Sequence, residues 1–286
     1  MVEAMHSIDF SRPSDATKRF VRFYALRQSN LASSVLIHPV PARSEHILNF
    51  QFGDEIQIHN LDERVVRLAK MAALIGLQTH RRVEQQIRGQ IDCFVIFFQP
   101  AALNLLFGLP AISITNADHD ARGVLGSSIG ELRERLGNCR LFHERVQVAE
   151  EFLIHLGSKA PPADSVELAA REILRHRGLY RIEALAQDTG LGSRTFQRRF
   201  KQTIGLSPKT YARIVRFQSA LQAKAVCPQM TWTDIAHEHG YHDQMHMVHD
   251  FQGFSNESPS ELLWHLSNIY RADLTRGEKP QGHLVL

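Results

Sequence analysis

The chain has 286 residues, 43% of them hydrophobic and 22% charged, which are globular proportions and exclude a disordered or low-complexity protein. Lys and Arg number 33 against 30 Asp and Glu, for a net charge of +3, so any nucleic-acid signal has to be local rather than global. No run approaches the length of a membrane-spanning helix, and Met1–Phe10 lacks the basic, apolar and small-residue progression of a secretory signal. Cys93, Cys139 and Cys227 are odd in number and widely spaced, which fits neither a disulfide framework nor a zinc knuckle and reads as reduced thiols of a cytoplasmic protein.

The first half reads as strands. In His46–Phe52, Leu48, Phe50 and Phe52 alternate with Asn49 and Gln51, the period of a half-buried strand. Gly53–Asp54 punctuates it and Ile56/Ile58 resume the alternation. Met71–Leu77 is a compact apolar run, and Ile91–Phe98, β-branched and aromatic and ended by Pro100, reads as a fully buried strand. Short strands separated by turns predict a small barrel or sandwich. Helical periodicity begins after about Gly126. Phe142, Val146, Ala149, Leu153 and Leu156 form an apolar stripe, with Glu144, Arg145, Gln147, Glu150 and Glu151 elsewhere. That stripe is either a core face or a homodimer seam. Two prolines break the segment 158–164, which reads as a linker between a first domain over 1–157 and a helical domain over 165–270; 271–286 is a polar tail.

Two segments about fifty residues apart then share one pattern. Leu185–Ala186–Gln187–Asp188–Thr189–Gly190–Leu191 leads into a helix with Phe196 and Phe200 and a Leu206–Ser207–Pro208 tail. Ile235–Ala236–His237–Glu238–His239–Gly240–Tyr241 leads to Met247, Phe251 and Glu257–Ser258–Pro259. The small Ala186 and Ala236 allow close helix crossing, and Gly190 and Gly240 stand where a short helix ends in left-handed geometry. Leu191 and Tyr241 plug the turn, Phe196/Phe200 and Met247/Phe251 face the core, and Ser193 is placed to cap the following helix. Helix, glycine turn and helix is the helix-turn-helix motif, here present twice.

On these residues, together with Arg194, Arg198, Lys201, Gly205, Arg213, Arg216, Asp234, Asp243, His246 and Pro259, the region from Ser165 to Leu263 resembles the DNA-binding region of the AraC family of bacterial regulators. The resemblance implies two helix-turn-helix units joined by a long helix, here Tyr211–Ala225, binding a double-stranded operator and working with RNA polymerase. It also implies an α+β chain whose first domain is a cupin-like β-barrel with helices that binds a small-molecule effector and dimerises. Phe97–Pro110 loosely resembles the first domain of one subgroup.

In the first recognition helix, Ser193, Arg194, Thr195, Gln197, Arg198 and Lys201 are the candidate DNA contacts. Arg194 and Arg198 point away from the Phe196/Phe200 face, with Lys201 close behind; Arg pairs with guanine and Gln with adenine in the major groove. Arg199 lies nearer the core and suits a phosphate or a structural pair. The second helix offers His242, Asp243, Gln244, His246 and His249 but no Lys or Arg, and Asn256 replaces a glycine of the family pattern. It is expected to read bases weakly, with a protonation-dependent contribution from His242 and His249. The effector-pocket candidates are Phe50, Phe52, Phe94 and Ile96. Two rival readings are a metal-dependent cupin enzyme, using His38, Glu45, His46, His59, His80 or Glu84, and an architectural DNA binder without effector. No phosphate loop, nucleophile elbow or His-Glu-x-x-His motif supports catalysis, and no cofactor or metal is expected.

Overall fold

A computed structural model describes residues 5–31 and 34–266; the polar tail read at 271–286 lies outside the described residues. The N-terminal part is β-rich. β1 (Met5–Ser11), β2 (Val21–Asn30), β4 (Ile47–Gln51), β7 (Ala72–Ile75), β9 (Gln90–Phe98) and β10 (Asp118–Asp120) form an antiparallel sheet in the order β1-β2-β9-β4-β7-β10. β3 (Leu36–Val40), β5 (Gln57–Asn60), β6 (Val65–Leu68) and β8 (Val83–Ile87) form a second sheet in the order β3-β8-β5-β6.

Both faces of the larger sheet are covered. Tyr24, Leu26, Leu48, Phe50, Leu74, Phe94, Ile96 and Phe98 pack against α1 (Ala102–Phe107), α2 (Ala121–Leu125), α3 (Ser128–Gly137) and α4 (Phe142–Gly157). The opposite face, with Ala25, Arg27, Ile47, Asn49, Gln51, Ala73, Ile75, Cys93, Val95 and Phe97, looks toward the smaller sheet across a cavity. Register fixes this division: Phe50 pairs Phe94 and Leu48 pairs Ile96, while Asn49 pairs Val95 on the other face.

The apolar stripe of α4 serves this core. Ala149 and Leu153 are buried in it, and Phe142, Val146 and Leu156 pack half-buried against it. Of the two readings of the stripe, the structure shows the core face. The supposedly solvated residues of the helix are partly spent inward as well. Arg145 is buried and forks onto the carboxylate of Asp92, and Glu150 accepts from Tyr24 at 2.8 Å and from Ser14 and Thr17.

Segment 158–164 contains no helix or strand. After it, α5 (Ser165–Arg175), α6 (Ile182–Asp188), α7 (Ser193–Ile204), α8 (Pro208–Val226), α9 (Trp232–Glu238) and α10 (Gln244–Ser255) enclose a second core, and the chain is helical again over 259–266. The chain is therefore α+β, with the two structural classes segregated along the sequence. Ile8, Ala42, Leu77 and Ala101 of the β-rich domain join the second core, so the two parts are packed on one another.

Leu153→Ala is expected to lower stability by about 2–5 kcal/mol, the cost of a cavity in a packed core, measured as a shifted urea midpoint. A near-wild-type midpoint with a changed mass by light scattering would instead mean that the stripe is a dimer seam.

Candidate nucleic-acid interface and cavity

α6, the turn and α7 form the first unit. Leu185 and Ala186 are buried beneath the crossing helix, and Gly190 adopts φ +67°, the left-handed geometry its position demands. Gly192, not Ser193, is the N-cap of α7; Ser193 is already the first helical residue and makes no capping bond, so its expected role as cap does not hold. Phe196, Phe200 and Ile204 are fully buried. Arg194, Gln197, Arg198 and Lys201 recur at helical spacing on the opposite face and are exposed, and Thr195 is half-buried beside them. No ion pair of Arg194, Arg198 or Lys201 occurs among the described residues, so that face presents three uncompensated cations. Arg199 donates to Asp164 at 2.8 Å, a structural pair that ties α7 to the segment before α5.

The Ser-Pro tails of the repeat turn out to be helix starts. Ser207 caps α8 by accepting from the Thr210 N–H at 3.1 Å, with Pro208 as its first residue. Ser258 and Pro259 open the last helix in the same way, and Ser258 and Glu261 bond reciprocally. That capping box is written in the sequence as Ser-x-x-Glu.

The second unit is held differently. Ala236, Met247 and Phe251 are buried, Gly240 has φ +63°, and Asn256 closes α10 at φ +60°, as Gly205 closes α7. Asp250 is buried and accepts from Arg213 of α8 at 2.5 Å, so its charge is neutralised inside the fold. Arg216 lies over the Tyr241 ring at 5.3 Å and donates to Gly240 O at 3.3 Å. Thus the two arginines matched in α8 pin the second unit. Asp243 caps α10 by accepting from the His246 N–H at 2.7 Å; this bond, and then His242 beside it, holds its carboxyl below the usual range. The His246 ring packs edge-on against Tyr241, and Gln244 accepts from Thr233 at 2.7 Å. His242 and His249 remain exposed. The second unit thus lacks a basic reading face, and several of its candidate contacts hold the fold.

The β-rich domain touches both units. Thr115 Oγ1 donates to Gly205 O at 3.0 Å, at the end of α7, where a side chain on Gly205 would collide with Thr115. Ala42 N donates to Phe254 O at 2.8 Å in α10, and Arg81 pairs with Glu257. Gln218 of α8 accepts from Ser44 Oγ at 2.6 Å and donates to Glu45 at 2.9 Å. These three contact segments are joined to each other. Arg43 and Gln78 exchange backbone bonds of 2.9 and 3.1 Å, and Asn116 N donates to Leu77 O at 2.8 Å.

Between the sheets lies a cavity of about 350 Å³. Its walls mix Ile47, Ile58, Ile75, Val95 and Phe97 with Arg27, Arg43, Arg67, Lys70 and Arg82, the acids Glu63 and Asp118, and a set of Asn and Gln amides. Asp118 pairs with both Arg67 and Lys70. Burial pushes the Cys93 thiol up to about 12, so it lines the wall as a neutral group rather than a nucleophile. The pocket candidates lie elsewhere: Phe50, Phe94 and Ile96 point into the helical layer, and Phe52 sits under the guanidinium of Arg145 at 4.6 Å. The cavity face has the opposite parity because the helices cover the more apolar side of the sheet. The candidate metal ligands are scattered. His38 stands beside Arg27 and Gln85, His59 bonds Gln86, His80 approaches Asp62, and Glu84 pairs with Arg81. Among the described residues, no group of three His, Cys, Asp or Glu is arranged to hold a metal ion, and no helix is long and apolar enough to cross a membrane.

Arg198→Ala is expected to weaken DNA binding by about 1–3 kcal/mol and relax preference at one base pair. Lys201→Ala is expected to weaken all sequences alike and lower the salt slope by about one. Fluorescence anisotropy across a salt series checks both.

The helix-turn-helix domain family matches residues 185–263, spanning both units. No curated protein matches the chain in sequence. Among solved structures the chain is similar to apo ToxT from Vibrio cholerae in a single-substitution variant, at 11% identity over 89% of this chain and 99% of that one, TM-score 0.47. It is similar to wild-type Vibrio cholerae ToxT with a bound unsaturated fatty acid, at 12% identity over 85% and 95%, TM-score 0.46. It is also similar to the AraC-like transcriptional activator CuxR, at 12% identity over 74% and 86%, TM-score 0.26. With TM-scores below 0.5, none of these likenesses bears on the ligand here. With both units matched, their glycine turns and Ser-Pro helix starts in place and a free basic face on α7, residues 185–263 form a helix-turn-helix domain.

Proposed function

We propose that the chain is a sequence-specific transcription regulator whose hold on its operator responds to a small molecule bound between the two sheets. One observation carries the effector reading: three segments that touch the helix-turn-helix units also form walls of the cavity. Ala42 bonds Phe254 while Arg43 lines the cavity; Thr115 bonds Gly205 while Asn116 lines it; Arg81 pairs with Glu257 while Arg82 lines it. A ligand that resets the spacing of these walls shifts contacts to both units together, and with them the relative placement of the two recognition helices. A ligand changes the equilibrium only through such differential contacts.

The first unit supplies base reading through Arg194, Gln197 and Arg198, with Lys201 on the phosphate backbone. The second supplies positioning one helical turn away, about 34 Å along the duplex. We assign no dimer interface to the α4 stripe, which is spent within the chain, and an RNA polymerase contact rests on the family resemblance alone. The scattered His and Glu side chains favour a ligand site over an active site.

Selection of binding sites from random duplex DNA, at one salt concentration, tests the reading. Wild type is expected to enrich a motif that Arg194→Ala/Arg198→Ala loses or relaxes. Enrichment of nothing, with binding that merely tracks salt, would contradict sequence reading by this helix.

A further inference from the structure

Resting on the effector reading above, we propose that the cavity binds a compact hydroxylated carboxylate, with Arg27 receiving the carboxylate and Gln51 accepting from the hydroxyl. The side chains of Arg27, Gln51 and Gln78 in the wall are unfinished. Arg27 is 8% exposed, and its Nη1 reaches only His38 Nδ1 at 3.4 Å. Its Nε and Nη2 are buried without a hydrogen-bond partner, and no ion pair of Arg27 occurs among the described residues. A guanidinium taken out of water without a counter-charge is strongly unfavourable, so the site is completed by an anion. The fork geometry of the group matches a carboxylate.

Gln51 and Gln78 are 2% and 4% exposed, and the Oε1 of each is buried without a donor. The Gln51 amide nitrogen is committed to Asp54 O, which fixes the orientation of that side chain, and Gln51 lines the cavity. The ligand must therefore supply a hydrogen-bond donor as well as an anion. Five cationic side chains against two acids in the wall disfavour an ammonium as that donor, leaving a hydroxyl. Ile47, Ile75, Val95 and Phe97 give the carbon skeleton an apolar bed. A saturated fatty acid would satisfy Arg27 but leave the Gln51 oxygen unpaired, a penalty that discriminates strongly against analogues lacking the polar group.

The experiment uses the purified full-length chain and a fixed panel of lactate, 3-hydroxybutyrate and mandelate, each beside its deoxy acid and its amide. Thermal shift and calorimetry read binding; anisotropy on the selected operator reads the response. At least one hydroxy acid is expected to raise Tm and to bind about 10-fold or more tighter than both its partners. Arg27→Met is expected to abolish the preference for acid over amide, with binding of the acid weakened about 10- to 100-fold. The same variant is expected to melt no lower than wild type without ligand, because it removes an uncompensated charge. Gln51→Leu is expected to abolish only the preference for hydroxy over deoxy acid. Amides binding as well as acids, Arg27→Met keeping the acid preference, or no member of the panel binding would overturn the ligand class. Hydroxy acids that bind without changing operator affinity would leave the ligand class standing and remove the effector reading. Amides that change operator affinity would do the reverse.

Discussion

The structure hangs on a shared wall. Segments around Ala42, Arg81 and Thr115 form one side of the cavity and, on their other side, the seat for both helix-turn-helix units. Backbone bonds join Arg43 to Gln78 and Asn116 to Leu77, so these segments are tied into one plate rather than standing as separate loops. Close-packed interiors do not deform continuously, so a change on one side of such a plate is transmitted as a rearrangement rather than absorbed. Gly205 shows how tight the seat is: the first recognition helix ends against Thr115 with no room for a side chain.

The two units differ in the disposition of their charges. In the first, Arg194, Arg198 and Lys201 are free on one face while Arg199 alone turns back to Asp164. In the second, the cations come from the connecting helix and are used internally: Arg213 neutralises buried Asp250, and Arg216 covers Tyr241 and Gly240. A cation committed to a buried carboxylate is not available to phosphate. The asymmetry thus follows from where the arginines are anchored, not from the count of charges in either helix.

The helix-turn-helix units were legible in the sequence because local backbone demands write them there. Left-handed turns require Gly190 and Gly240, helix starts favour Ser207–Pro208 and Ser258–Pro259, and the phenylalanines recur at helical spacing. The cavity was not legible. Alternation in Leu48–Phe52 identifies the more apolar side of a strand, but that side packs on helices, and the polar side is buried too. Asn49 and Gln51 look like solvent-facing residues until the second sheet closes over them. The same holds for Arg145 and Glu150 in α4, whose partners Asp92, Ser14, Thr17 and Tyr24 are distant in sequence. Periodicity reports burial by apolar groups and is silent about polar groups buried in pairs. Ser193 failed as a cap for a smaller reason: the helix starts one residue earlier, with Gly192 in the extended cap geometry.

We propose that one helix reads bases while the other positions the domain. Guanine-N7 methylation interference on the selected operator separates the two roles, because that methyl group lies in the major groove and blocks base contacts without altering phosphates. Strong interference is expected in a single groove segment, lost in Arg198→Ala, with little or none in the segment one turn away. Interference of equal strength in both segments, or its survival in Arg198→Ala, would contradict it.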